Sequence, residues 1–289
     1  MSIPILPGIG PLVERYDGFV LDLWGVIHDG RTIFPWVNDT LARLRSAEKR
    51  VVLLSNAPRR VAVTEERNRG LGLDDSLIDG LMTSGEATWQ HLSSRPDAFY
   101  RGLGRRCLHI GGARDISARD GLDFDFVTDV EAADFIFNTG SAHEDGSSPI
   151  DEQPLARAVA RGLPMVCANP DKVVVVAGKR QECAGAIAER YERLGGQVKY
   201  HGKPHAAIYE PVMELLKVPR KRCLAIGDSM ATDIRGAANA GIDALFVVDG
   251  IHREELDPDD SGAIDSAALA GLAEDFGLAP QAAVHRFVW

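Results

Sequence analysis

The chain of 289 residues carries 32 basic and 42 acidic residues, which give a formal net charge of −10. This balance argues against a protein that binds nucleic acid through its phosphate backbone, although local cations still permit a small anionic substrate. The length suits one large domain or two ordinary ones, with enough apolar residues for a buried core. No apolar stretch has the pattern of a signal peptide or a membrane span, and the four dispersed cysteines suit a reducing compartment, so we expect a cytoplasmic protein with no membrane partner.

Buried strands alternate with helical patterns at both ends of the sequence. A short apolar run from Phe19 ends on Asp22, which indicates a strand followed by a turn. The later predicted elements are a helix at 37–49, a strand at 51–54, a helix at 59–69, a helix at 206–216, a strand at 223–226, a helix at 230–240 and a strand at 244–248. Such alternation predicts an α/β fold with a doubly wound parallel sheet, a Rossmann-like core covered on both faces.

The middle of the chain contains a second set of predicted strands, at 107–110, 135–137 and 165–167. Residues 93–104 have the composition of a domain boundary, and residues 140–152 that of a long surface loop. We therefore predict an inserted α/β cap domain over 89–180 and a core domain formed by 1–88 and 181–289. In the tail, we predict a helix at 267–276 and an edge strand at 285–289.

Polar residues stand where the predicted core strands end. Asp22 follows the first strand, Ser55 the second and Asp228 a late strand, while Lys203 lies in a Gly-Lys-Pro sequence and Asp233 follows Asp228 by five residues. The carboxyl ends of parallel strands share one edge of a sheet, where ligands bind. Carboxylates there suit magnesium, and a lysine suits phosphate. Each residue alone could merely cap a loop or a helix, but the set is more specific.

These motifs, in this order, resemble those of the haloacid dehalogenase (HAD) superfamily of aspartate-nucleophile phosphohydrolases. Only 33 positions (55 − 22) separate Asp22 from Ser55, whereas 148 (203 − 55) separate Ser55 from Lys203. The insertion must therefore follow the second motif. Together with Asn169-Pro170-Asp171 late in the insertion, this arrangement resembles class IIA, the group of sugar, nucleotide and pyridoxal phosphate phosphatases.

The resemblance implies catalytic roles for Asp22, Ser55 and Lys203, and a substrate-binding role for Asn56. Asp22 would attack phosphorus and form an aspartyl phosphate, which divides one displacement into two easier steps. Ser55 and Asn56 would bind the oxygens of the transferring phosphoryl group. Lys203 would bind the same oxygens, neutralise their charge and hold the nucleophile.

The resemblance also implies a magnesium site and a substrate site. Asp22 and Asp228 would bind Mg²⁺ together with the backbone carbonyl of Trp24, and Asp233 would support the ion directly or through water. Asn169 and Asp171 of the insertion would bind substrate. Relatives of this class often pair through the cap domain, so a homodimer is expected as a possible assembly.

Trp24 departs from the pattern of the active phosphatases, which place a second aspartate two residues after the nucleophile. That aspartate protonates the leaving group and then activates water, and tryptophan can do neither. His28 or Asp29 would be the nearby substitutes. The sequence therefore predicts a magnesium-dependent phosphatase of a small metabolite such as a sugar or nucleotide monophosphate. The alternative is a weakened relative that binds a phosphorylated ligand; an oxidoreductase is disfavoured because no strand precedes a GxGxxG sequence.

Overall fold

The structure is a computed structural model that describes residues 3–141, 152–176, 179–256 and 263–289. Its strands are β1 (Ile5–Leu6), β2 (Gly18–Leu21), β3 (Arg50–Ser55), β4 (Gly80–Thr83), β5 (Arg106–Ile110), β6 (Asp125–Val127), β7 (Phe135–Asn138), β8 (Met165–Cys167), β9 (Val173–Val176), β10 (Lys179–Glu182), β11 (Val198–Tyr200), β12 (Cys223–Gly227), β13 (Asp243–Val247) and β14 (Ala282–Val284). Its helices are α1 (Val37–Ser46), α2 (Val61–Gly70), α3 (Ser84–Ser94), α4 (Ala98–Gly102), α5 (Glu152–Ala160), α6 (Ala184–Arg193), α7 (Tyr209–Leu216), α8 (Arg235–Ala240), α9 (Arg253–Leu256) and α10 (Ser266–Phe276).

The first of two compact units comprises the described parts of Met1–Ser55, Glu65–Met82 and Lys203–Trp289. Its seven strands form one sheet in the order β1-β14-β13-β12-β2-β3-β4. In this order, each strand from β1 to β3 pairs in parallel with its neighbour. All four residues of β2 are buried, so both faces of the sheet are covered there. This is the doubly wound core that the alternation of strands and helices predicts, so the predicted fold class is confirmed.

The strand order reverses between β2 and β12, and this reversal positions the candidate site. The chain proceeds outward from β2 to β3 and β4 on one side, and later from β12 to β13 and β14 on the other. Loops that leave β2 and β12 therefore diverge at a shared edge. Ligands bind in this kind of crevice in open α/β sheets.

The second unit comprises Asn56–Thr64 and the described part of Thr83–Gly202. A parallel sheet in the order β11-β8-β7-β5-β6 forms its centre, and β9 and β10 form a separate antiparallel pair. Alternate residues of β7 enter different apolar clusters, Ile136 on one side and Phe135 with Phe137 on the other. Both faces of this sheet are therefore covered, as expected for an α/β insertion.

The two units differ in extent from the predicted core and cap boundaries. The sequence-based division assigns 181–289 to the core, whereas the contacts place residues up to Gly202 in the second unit. The reason is that β11 pairs with β8 and α6 packs on the same sheet. The second unit also contains Asn56–Thr64, which lies within the predicted core segment 1–88.

Two local predictions were wrong, and one lies largely outside the described residues. Residues 93–104 contain α4, whose Tyr100 is fully buried in the second unit, so they are not a linker. The terminal strand is β14 rather than 285–289; beyond it the chain returns along the amino-terminal segment, where Ile9 donates a backbone hydrogen bond to Val288. Residues 142–151 of the predicted surface loop are outside the described part of the chain.

Within the described ranges, no helix combines the length and the apolar character needed to cross a membrane. All four cysteines are buried and unpaired. Burial raises the pKa of the Cys183 thiol to about 12, which keeps it protonated and unreactive at neutral pH. The cysteines therefore serve as small apolar side chains of the two units.

Asp79, just before β4, should contribute measurably to the stability of the first unit. Its Oδ2 atom accepts a 2.7 Å hydrogen bond from the Val51 backbone N–H, and its Oδ1 atom pairs with Arg45 and Arg50. Asp79→Ala would leave the Val51 N–H without its acceptor, and we expect a loss of about 1–3 kcal/mol in urea unfolding. Asp39→Ala is the control, because its pair with Arg43 is more than half exposed and should cost less than about 1 kcal/mol. Equal losses in the two variants would contradict this assignment.

Candidate active site

The candidate active site begins with two aspartates that follow neighbouring strands. Asp22 comes directly after β2, and Asp228 comes directly after β12. These strands pair in parallel with Leu21 opposite Ile226, and the Asp22 backbone N–H donates a 2.9 Å hydrogen bond to the Ile226 carbonyl. The sheet register therefore brings the two carboxylates together at the switch point.

Lys203 connects the polar groups of this edge. Its ammonium nitrogen lies 2.5 Å from Asp22 Oδ1 and 2.6 Å from Asp233 Oδ1, and it donates a third hydrogen bond of 3.1 Å to the Leu54 carbonyl. The side chain is only 4% exposed. Burial disfavours its charge, but the carboxylates of Asp22 and Asp233 outweigh burial and hold the pKa of Lys203 well above its ordinary value. Lys203 is therefore a permanent cation at this site.

Asp228 is held in a pocket made by glycines. A Cβ atom at Gly25 or at Gly250 would lie 2.1 Å from Asp228 Oδ2, so neither position has room for a side chain. Gly25 also has φ +76°, a left-handed conformation that glycine adopts without strain. The Ile251 backbone N–H donates a 2.8 Å hydrogen bond to Asp228 Oδ2. Burial, with the nearby charges of Asp22 and Asp233, raises the pKa of Asp228 well above its ordinary value.

Asp233 is fixed by the π-helical turn Met230–Ile234 that follows β12. Its backbone N–H donates to the Ser229 carbonyl, and its Oδ2 atom accepts from the Ser229 backbone N–H at 3.1 Å. Because its Oδ1 atom bonds to Lys203, both carboxylate oxygens are already engaged. This arrangement suits Asp233 as a group that orients Lys203 and that would support a metal through water.

The carboxylates of Asp22, Asp228 and Asp233 offer oxygen atoms that all lie within 4.8 Å of one another. Opposite ligands of an octahedral magnesium ion are about 4 Å apart, since each lies at 2.0–2.1 Å from the metal. Three carboxylates with one lysine also leave an excess of two negative charges in a mostly buried cluster. The ligand type, the spacing and the charge therefore all fit a divalent cation such as Mg²⁺.

Trp24 packs within the loop that follows β2. Its ring lies edge-on to His28, with centroids 5.3 Å apart, and the Arg67 guanidinium is 5.7 Å from its centroid. A Cβ atom at Gly30 would lie 2.2 Å from the indole, so the ring rests directly on the Gly30 backbone. Arg67 also donates a 3.1 Å hydrogen bond to the Gly30 carbonyl. The indole is thus a fixed part of this loop.

Neither His28 nor Asp29 is suited to replace the missing aspartate. His28 is 2% exposed, and its Nδ1 atom accepts a hydrogen bond from the Gly30 N–H, while burial lowers its pKa to about 4. It is therefore neutral at pH 7 and has no acidic proton to transfer. Asp29 is exposed, and its Oδ1 atom accepts from the backbone N–H groups of Arg31 and Thr32. It stabilises the turn.

The remaining predicted residues are divided between the two units. Ser55 is buried at the end of β3, adjacent in sequence to the Leu54 carbonyl that Lys203 contacts. Within the second unit, Asn56 Nδ2 donates a 2.8 Å hydrogen bond to Asp171 Oδ1, and the Asp171 backbone N–H donates to Asn169 Oδ1. Within the second unit, the predicted Asn169-Pro170-Asp171 motif is therefore hydrogen-bonded to Asn56. The substrate-binding roles of these residues stay predictions, as does that of the Trp24 carbonyl.

Sequence reasoning missed the backbone that surrounds the carboxylates. Gly25 and Gly250 make space for Asp228, and Gly227 does the same for Asp233, because a Cβ atom there would lie 2.2 Å from the Asp233 Cβ. Each of these glycines lies within four residues of the end of a strand in the sheet. That position is the signal by which they could have been found.

Two family profiles match the chain. The profile described as a haloacid dehalogenase-like hydrolase matches residues 19–125, which include Asp22 and Ser55. The profile described as HAD-hydrolase-like matches residues 200–274, which include Lys203, Asp228 and Asp233. Both matches therefore fall on the segments that build the site.

Solved and curated proteins resemble the chain over most of its length. The crystal structure of a hydrolase of the haloacid dehalogenase-like family from Brucella suis 1330 has 32% sequence identity, covers 98% of this chain and 100% of its own, and has a TM-score of 0.82. The 4-nitrophenylphosphatase of Schizosaccharomyces pombe is 24% identical over 272 residues, 84% of this chain and 87% of that protein. The 5'-nucleotidase YutF of Bacillus subtilis is 25% identical over 256 residues, 86% and 93% of the two proteins.

The burial of His28 should make the protein less stable in acid. The folded state protonates His28 only at about pH 4, whereas in the unfolded chain its pKa is that of an ordinary histidine, 6.5. As the pH falls from 6.5 to 4, the unfolded state therefore binds the proton first, and up to about 3 kcal/mol of stability is lost. His28→Asn, which is neutral throughout, should show a shallower decrease when urea unfolding is measured across this range. The same pH dependence in both proteins would contradict this explanation.

Proposed function

The chain belongs to the haloacid dehalogenase-like hydrolase family, and on that premise we propose that it is a phosphatase that forms an aspartyl phosphate on Asp22. The Brucella suis relative, at 32% identity over 98% of this chain and all of its own, establishes the family and confirms the resemblance drawn from the sequence motifs. The 4-nitrophenylphosphatase and the nucleotidase support a phosphoric monoester hydrolase of class IIA.

The contact between Lys203 and Asp22 supports this proposal most directly. A lysine held at 2.5 Å from a carboxylate fixes the position of the nucleophile and places a cation where phosphoryl oxygens gather charge. Asp233 orients Lys203 from its other side at 2.6 Å. Moving three charged side chains out of water is unfavourable unless they pair with one another. The burial of Lys203 between two aspartates therefore supports a role in the site rather than that of an ordinary surface lysine.

In the proposed first step, a carboxylate oxygen of Asp22 forms a bond to phosphorus while the bond from phosphorus to the leaving oxygen breaks. The leaving oxygen takes the electron pair and requires a proton. In the second step, water attacks the aspartyl phosphate, loses a proton and releases inorganic phosphate, which restores the carboxylate. Lys203 stabilises the charge on the phosphoryl oxygens in both steps.

We propose Mg²⁺ as the cofactor, held by Asp22 and Asp228 with Asp233 in support. When bound, the ion would neutralise charge on the phosphoryl group and orient it in line with the nucleophile. The buried excess of negative charge and the separation of the carboxylate oxygens, all within 4.8 Å, support this assignment. Burial and the charges of Asp22 and Asp233 raise the pKa of Asp228, and a cation bound between these carboxylates would oppose that rise.

Trp24 bears on which substrates the protein would hydrolyse well. General acid and base catalysis contributes about 10² to 10⁴ in rate, and the residues near Trp24 in its loop do not supply it. Esters whose leaving group needs little protonation, such as aryl phosphates, should therefore react faster than alkyl esters. We therefore expect slow turnover of sugar and nucleotide monophosphates, the metabolites predicted from the sequence.

The cellular context is also part of the proposal. The unpaired cysteines suit the cytoplasm. A homodimer through the second unit stays a prediction from the family resemblance. A small phosphorylated metabolite is the proposed partner.

The test is phosphate release from 4-nitrophenyl phosphate and from sugar and nucleotide monophosphates, with and without Mg²⁺. We expect wild-type turnover that requires Mg²⁺ and falls to background in Asp22→Asn, because the amide cannot act as the nucleophile. Asp29→Asn is the matched control, since it removes the same charge from the same loop but should retain wild-type activity. Equal activity in Asp22→Asn and wild type would contradict the proposal.

The second candidate function is phosphate-ligand binding without efficient turnover, which the tryptophan at position 24 favours. Trp24→Asp would restore the acid and base group and should raise turnover of alkyl phosphates by about 10² to 10⁴, whereas Trp24→Phe should not. The second function would be favoured, and the phosphatase proposal contradicted, by two results together. Wild type would bind phosphate but release none from the esters, and only Trp24→Asp would turn over. Measuring phosphate binding by calorimetry alongside turnover separates the two.

A further inference from the structure

A cavity of about 190 Å³ lies within the first unit, beyond the carboxyl edge of its sheet. Three parts of the unit enclose it: the segment from Gly25 to Trp36, the turn after β13 with the start of α9, and the tail after β14. None of the polar residues of the candidate active site is among the described residues that line it. The cavity is therefore a feature separate from the proposed phosphate site.

The charged groups of the cavity leave one cation in excess. Arg286 and Asp249 neutralise each other, because Arg286 Nε donates a 2.7 Å hydrogen bond to Asp249 Oδ2. Arg253, the third charged residue of the lining, has no ion pair or side-chain hydrogen bond to any residue in the described ranges. An anionic ligand would supply the missing partner.

Trp36 gives the cavity an aromatic wall. Its ring stacks on Phe34, which also lines the cavity, at 5.3 Å with planes 10° apart. The Arg286 guanidinium lies 5.0 Å from the centroid of the Trp36 ring. The two stacked rings therefore offer a flat apolar surface beside the charged groups.

We propose that this cavity binds a small aromatic carboxylate. The excess cation of Arg253 selects one anionic group with acceptor oxygens. Phe34, Phe287 and the Trp36 ring select a flat apolar body. The volume of about 190 Å³ is enough for a single-ring acid.

The cavity adjoins the two segments that hold Asp228. Gly25 lines the cavity and its Cα faces the Asp228 carboxylate; Asp249 lines the cavity and precedes Gly250, which faces the same carboxylate. The backbone N–H of Ile251, in the same turn, donates to Asp228 Oδ2. A carboxylate ligand would thus contact both segments without touching the catalytic residues.

The probe is benzoate, with neutral benzamide as its isostere, titrated by calorimetry into the full-length protein. Saturating inorganic phosphate and Mg²⁺ are present in one series and absent in the other. We expect millimolar or tighter binding of benzoate, at least tenfold weaker binding of benzamide, and the same benzoate affinity in both series. Binding does not require turnover, so failure of this test is distinguishable from failure of the phosphatase proposal.

Two variants and a control complete the experiment. Arg253→Gln should weaken benzoate binding about ten- to a hundredfold, since a charge-assisted hydrogen bond is lost, and its melting temperature should be unchanged because the side chain is exposed. Trp36→Leu, which removes the aromatic wall, should weaken benzoate binding severalfold. Arg193→Gln, an exposed arginine on α6, should bind as wild type does. No benzoate binding at millimolar concentration, equal binding in Arg253→Gln, or displacement by phosphate would overturn the proposal.

Discussion

The buried contact of Lys203 with Asp22 and Asp233 is the interaction on which the rest of the site depends. Three carboxylates concentrated at one sheet edge repel one another, and burial makes this repulsion stronger than it would be in water. A single ammonium group, bonded at 2.5 and 2.6 Å to two of them, lowers that repulsion and fixes both side chains. The charge that stays unbalanced is the charge that a divalent cation would neutralise.

The fold is what makes this concentration of charge possible. Parallel pairing of β2 with β12 places Asp22 beside Asp228, and the reversal of strand order opens the crevice above them. The glycines at 25, 227 and 250 then allow backbone to approach the carboxylates more closely than any side chain would permit. The first unit therefore supplies a rigid frame for groups whose charges would otherwise drive them apart, as pre-organised catalytic sites require.

Much of this site could be predicted because its residues follow buried strands, and such strands are visible as apolar runs. Asp22, Ser55 and Asp228 were placed at strand ends from that pattern alone, and the spacing from Ser55 to Lys203 located the insertion. The extent of the second unit could not be predicted, because it depends on the pairing of β11 with β8, two strands of only three residues each. Strands this short carry too little periodicity to be recognised. β1 and β14 were missed for the same reason.

Other features could not be predicted because they depend on contacts between distant segments. The neutral state of His28 follows from its burial, which no local pattern reveals. The cavity near Trp36 combines residues from three parts of the chain, and the unpaired state of Arg253 is a property of the folded unit. The departure from the family pattern at Trp24 is visible in the sequence. The packing of its indole on the Gly30 backbone is visible only in the structure.

The most direct test of this account is to stop the reaction with acid during turnover of 4-nitrophenyl phosphate and to locate covalent phosphate by mass spectrometry. Because the loop around Trp24 provides no general base for the second step, hydrolysis of the intermediate should be slow and the intermediate should accumulate. The account predicts one phosphoryl group on the peptide that contains Asp22, absent from Asp22→Asn and lost as substrate is exhausted. Turnover with no phosphorylated peptide, or with phosphate on another residue, would contradict it.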